Sequence, residues 1–131
     1  MTNRVASCSC GRLSLTSSQE PLRVSICHCL ACQRRTGSVF GVQARFLRSA
    51  VRVEGASTGY VRAGDAGSRI TYHFCPHCGA TVYYELDSSP EHVAVPVGAF
   101  ADSEFPVPSR SVYEHRMHGW VRIPPALEHK A

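Results

Sequence analysis

Phe74-Cys75-Pro76-His77-Cys78-Gly79 reads as a metal knuckle. The proline shapes the turn between two thiols, and the glycine permits the tight backbone beyond the second one. A lone pair of this kind could be two unrelated buried cysteines. Here two more groups accompany it, Cys8-Ser9-Cys10-Gly11 and Cys27-His28-Cys29-Leu30-Ala31-Cys32, and together they use all seven cysteines of the 131-residue chain. That clustering argues for metal.

Four thiolates close a tetrahedral zinc site, whereas three leave one coordination position that a substrate can fill. The first and third groups supply two thiols each and the middle group supplies three, so seven divides into a structural four and a functional three. The other partition joins Cys29 and Cys32 to Cys75 and Cys78 as a zinc ribbon. It is disfavoured because the gap exceeds the ~15–20 residues usual for that pattern and leaves Cys8, Cys10 and Cys27 scattered. In a strand, residues two apart share a face, so Cys8 with Cys10 and Cys27 with Cys29 are each expected to aim at one metal. His28 would then point away and be packed or hydrogen-bonded, and His77 would face solvent.

A chain of this length fits a single domain, residues 1–131, that can bury a core without disulfides. The odd cysteine count and an N-terminus without an apolar segment speak against a secreted disulfide scaffold, so a cytoplasmic protein is expected. No apolar run approaches the ~20 residues of a membrane helix. The formal charge is +4, and thirteen of the fourteen basic residues are arginine. These are spread along the chain and not grouped, so nucleic acid is not an expected partner.

The pattern of short apolar runs and turn residues predicts an all-β architecture. Strands are expected at Leu13–Thr16, Val24–Ile26, Phe40–Phe46, Val51–Glu54, Tyr60–Arg62, Arg69–Phe74, Thr81–Leu86, Val93–Val97 and Ser111–His115. One short helical turn should follow Cys29, ending before Gly37 and placing Cys32 near its start. Prolines 106, 108, 124 and 125 mark the tail as extended edge segments.

The three cysteine groups, with Gln33-Arg34-Arg35-Thr36-Gly37-Ser38 after the second, resemble the glutathione-dependent formaldehyde-activating enzyme family, which also includes centromere protein V. The resemblance runs in order over about residues 5 to 85, with Ala6 where the family often has glycine. It implies a β-tent zinc fold, like that of the Rab-exchange-factor chaperones and methionine sulfoxide reductases B. It further implies a structural zinc at Cys8, Cys10, Cys75 and Cys78, and a second, labile zinc at Cys27, Cys29 and Cys32. The reaction it implies is condensation of glutathione, or another small thiol, with formaldehyde, as in an S-(hydroxymethyl)glutathione synthase, a carbon–sulfur lyase working in reverse.

The residue chemistry suits that reaction. A site rich in thiolates exchanges soft ligands readily, which favours a thiol over water as fourth ligand. Arg34 and Arg35 follow the open site and can pair with a substrate carboxylate, or else offset thiolate charge or pair with Glu54 or Glu85. Ser38 is a turn residue that could reach the site. His73, His115 and His118 are acid or base candidates that spacing does not separate. Trp120, Tyr83, Tyr84 and Tyr113 read as core or pocket wall. The competing function is a non-catalytic zinc-binding interaction module in which His73 or His115 supplies the fourth ligand. Nucleic-acid binding, by analogy with centromere protein V, is a third. A sulfoxide reductase would need a redox cysteine beyond the metal set. Oligomeric state and physiological role are not encoded in any motif.

Overall fold

In the computed structural model, residues 3–64 and 67–131 are described. Eleven strands and one helix follow in order: β1 (Arg4–Ser7), β2 (Ser14–Ser17), β3 (Arg23–Cys27), α1 (Leu30–Thr36), β4 (Gly41–Leu47), β5 (Val51–Glu54), β6 (Thr58–Ala63), β7 (Arg69–Phe74), β8 (Thr81–Leu86), β9 (His92–Pro96), β10 (Arg110–Val112) and β11 (Glu128–His129). The protein is mostly β, as its turn-punctuated sequence predicts. The strands form a small sheet, β1-β2-β5, and a large one ordered β11-β10-β3-β4-β9-β8-β7-β6.

Period-2 alternation gives the large sheet two different faces. Val24 on β3, Ala44 and Phe46 on β4, and Val93 and Val95 on β9 turn toward Leu15 and Ala6 of the small sheet, and make the main core with Phe100 and Phe105. Their neighbours Ser25, Gln43, Arg45 and Ala94 line a cleft on the opposite face. Arg4 anchors the small sheet. Its guanidinium forks onto Glu20, with contacts of 2.7 and 2.9 Å, and lies 4.9 Å from the centre of the Phe105 ring.

Two expectations about the tail are corrected. The strand expected at Ser111–His115 ends at Val112, because Tyr113 takes a left-handed backbone (φ 57°) and residues 114–116 form a single 3-10 turn. Trp120 belongs to neither core nor wall, being 69% exposed. The proline-rich tail does supply edge segments: β11 is the outermost strand and pairs with β10, which runs parallel to β3.

His28 is fully buried and hydrogen-bonds Ser111 through Nε2 at 2.8 Å, tying the residue after β3 to β10. Burial holds its imidazole below the ordinary value, which keeps it neutral at pH 7. Ser111→Ala leaves that nitrogen without its partner, and a loss of about 1–3 kcal/mol is expected in chemical denaturation.

Candidate metal centres and the arginine-lined cleft

The first and third cysteine groups meet where the small sheet joins the large one. Their four sulfurs, from Cys8, Cys10, Cys75 and Cys78, all lie within 4.8 Å of one another. Cys8 and Cys10 are 3.7 Å apart and Cys10 and Cys75 are 3.6 Å apart. A tetrahedron with the usual zinc–sulfur bond has edges of about 3.8 Å. These two edges are close to those of a zinc tetrahedron.

Cys8 and Cys10 do not sit in a strand, as the two-residue spacing had suggested. β1 stops at Ser7, and the chain turns, with Gly11 at φ 84° and its N–H on the Cys8 carbonyl. The turn earns its place by aiming backbone N–H groups at sulfur: Leu13 N–H donates to Cys8 Sγ at 3.3 Å. The third group repeats the device, with His77 N–H on Cys75 Sγ at 3.4 Å and Gly79 at φ 81°. His77 itself is exposed, as expected. Donors of this kind favour the thiolate form that a metal requires.

The middle group forms a second centre. The sulfurs of Cys27, Cys29 and Cys32 lie within 4.8 Å of one another, and no fourth ligand type joins them among the described residues. Cys27 ends β3, while Cys29 is the N-cap of α1, its sulfur accepting the Cys32 N–H at 3.3 Å. Here too the pair departs from a continuous strand. α1 is the helix expected after Cys29, and it stops where Gly37 takes a left-handed backbone, φ 74°. Contacts from Cys27 and then Cys32 pull the Cys29 thiol down to about 2, and the same contacts push Cys27 far above its ordinary value. Holding three thiolates together needs a cation.

Cys27, Cys29 and Cys32 open onto a cleft of about 650 Å³. That is the size of a small-molecule site. Arg34 and His115 line it, with Tyr72, Tyr84 and Tyr113 among its walls. Arg35 does not. Its guanidinium packs 5.3 Å from the Tyr84 ring centre and 5.9 Å from that of Tyr72, with Nε and one terminal nitrogen buried and without a hydrogen-bond acceptor. It lies close enough to Cys32 for its charge to favour that thiolate. Neither arginine pairs with Glu54 or Glu85, which bind Arg52 and Arg48 instead.

His73 is turned away from the cysteines, stacked 4.3 Å from Tyr83 and bonded to Glu85 at 2.7 Å. His118 meets Gln33 at 3.2 Å, and Ser38 is exposed outside the cleft wall.

The cleft also gathers residues that spacing did not single out. Six arginines line it, from β3, α1, β4, β6, β10 and the turn after β10: Arg23, Arg34, Arg45, Arg62, Arg110 and Arg116. Dispersal along the sequence is therefore not dispersal in space. Arg62 lines the cleft near Cys29, with Nε donating to the Tyr72 hydroxyl at 3.2 Å and its charge favouring the Cys29 thiolate. A signal was present in the alternation Arg23-Ser25-Cys27, which puts a cation and a metal ligand on one face of a strand.

Residues 3–119 match the family described as glutathione-dependent formaldehyde-activating enzyme. Among solved structures, the chain is similar to a Rhodobacter sphaeroides protein at 27% identity and a TM-score of 0.57, the likeness covering 72% of this chain and 85% of that one. No curated protein matches it. No helix among the described residues is long and apolar enough to cross a membrane.

Proposed function

Because the chain belongs to the glutathione-dependent formaldehyde-activating enzyme family, we propose that it is a cytoplasmic, zinc-dependent enzyme of the carbon–sulfur lyase type. It would join a small thiol, glutathione being the first to test, to formaldehyde at Cys27, Cys29 and Cys32. The observation that carries this reading is a set of three convergent sulfurs in the wall of a cleft, without a fourth protein ligand among the described residues. A zinc held there would let an incoming thiol lose its proton near neutral pH and meet the aldehyde carbon as a thiolate.

The chain's own residues then have separate tasks. Buried Cys27 and Cys32 fix the position of the centre, while half-buried Cys29 faces the opening. Tyr72 and Tyr84 wall the reacting end, and Arg62 sits over it. His115 is the histidine in the cleft wall and is assigned to carry a proton to or from the new hydroxyl. Arg34, at the rim, is placed to meet a carboxylate, whereas Arg35, behind Tyr84, acts as counter-charge to the thiolates. A second zinc at Cys8, Cys10, Cys75 and Cys78 has a structural role in this reading.

Cobalt substitution tests it. The sulfur-to-cobalt charge-transfer band of the three-cysteine centre is expected to shift saturably as glutathione is added. Exchange between free and hydroxymethylated glutathione, followed by NMR, should exceed the uncatalysed rate. A band that ignores every thiol offered would favour a non-catalytic interaction module and sink the enzyme reading.

A further inference from the structure

The end of the cleft remote from the cysteines is built as an anion seat. Arg23 and Arg45 are direct cross-strand partners on β3 and β4, and Arg110 on β10 faces Ser25, two residues further along β3. Side chains directly opposite in an antiparallel pair have Cβ atoms only about 5 Å apart, and like charges so placed are destabilising. All three arginines are half-buried. Burial, then Arg45 and Arg110, pull Arg23 below its ordinary value. Among the described residues, Glu128 stands beside this trio, its oxygen 4.0 Å from Arg110 Nε. No Asp or Glu lines the cleft among the described residues. Gln43 stands on β4 across from Ser25, and its side-chain oxygen is buried without a hydrogen-bond partner, as is Arg110 Nε. Ser25 adds a buried hydroxyl on the same floor.

This chemistry discriminates between anions. Glutathione carries two carboxylates but also an ammonium, for which the described cleft wall offers no carboxylate. A phosphate monoester carries a charge of about −1.5 to −2 at pH 7 on three acceptor oxygens and no cation. Planar guanidiniums grip it in pairs. The strand rise places Arg23 about 13 Å along β3 from Cys27.

We infer that Arg23, Arg45 and Arg110, with Ser25, form a phosphate-binding subsite, so that this chain's thiol substrate bears a phosphate at the end of an arm on the order of 10 Å from its sulfur. The inference rests on the thiol reading above only for what happens at the cysteine end.

The test compares 4′-phosphopantetheine with pantetheine, which present the same thiol and differ by one phosphate, by calorimetry on the zinc-loaded protein at fixed ionic strength. The phosphorylated thiol is expected to bind at least tenfold more tightly than pantetheine and than glutathione. Arg45→Gln and Arg110→Gln should each erase that tenfold difference. Arg45→Gln should also leave the ligand-free protein at least as heat-stable as the parent, since it removes a repulsion. Equal affinity for the two pantetheines, or a preference that survives both substitutions, would overturn the subsite. Failure of the thiol reading shows separately: the cobalt band would stay fixed while inorganic phosphate still bound in an Arg45-dependent way.

Discussion

Cys75→Ser is expected to leave the chain without a cooperative fold. The sulfur it removes lies 3.6 Å from Cys10 Sγ and is fully buried, at the junction of the two sheets. Structural zinc in small domains contributes on the order of 10–16 kcal/mol. A whole domain is stable by only about 5–15 kcal/mol, so losing the ion removes more than the remaining contacts supply. The loss is not confined to coordination, because Cys75 is also part of the main core with Leu13 and Val82. The expected readouts are collapse of NMR amide dispersion and loss of a thermal transition, with no metal retained. Cys78→Ser, which touches the core less, separates the two contributions: it should unfold as well if the metal dominates. A well-dispersed, cooperatively melting Cys78→Ser protein would show that the four-cysteine centre is dispensable for the fold.

Cys29→Ser should do the opposite, destroying chemistry and sparing the fold. Cys29 is half-buried, caps a seven-residue helix and faces the cleft, so few core contacts depend on its sulfur. Its substitution forfeits one Sγ acceptor for the Cys32 N–H, and a serine hydroxyl caps a helix at least as well. The melting temperature should therefore change little. Loss of outer residues that merely orient a ligand already weakens a metal site ~10–100-fold, so removing a ligand should cost at least ~100-fold in activity. Elemental analysis should show that the protein keeps the metal of the four-cysteine site and loses the other. Retention of the thiol response in cobalt-loaded Cys29→Ser would place the chemistry elsewhere.

The two cysteine clusters and the helix after Cys29 were legible in the sequence because each depends on short-range pattern: thiols a few residues apart, a glycine that ends a helix, a proline inside a knuckle. The strand geometry assumed for Cys8 and Cys10 failed for a local reason. With Gly11 in the left-handed region, the turn itself directs N–H groups at sulfur, which a strand would have spent on pairing. The arginine cleft was illegible for a different reason. Arg23 meets Arg45 only through the β3–β4 register, and Arg110 joins them only because β10 returns from the far end of the chain to run parallel to β3. Trp120 likewise reads as core by residue type, yet no strand carries it inward.

The four-cysteine centre has a temporal consequence. Cys10 and Cys75 are 65 positions apart, so half the chain must be in hand before the cage can close. Loop closure of that length is entropically unfavourable until the contacts it permits are made. Metal capture therefore falls late, after β7 has been made, and an emerging chain holds loose thiols until then. Were the ion zinc, a cell short of it would lose first the yield of newly made protein.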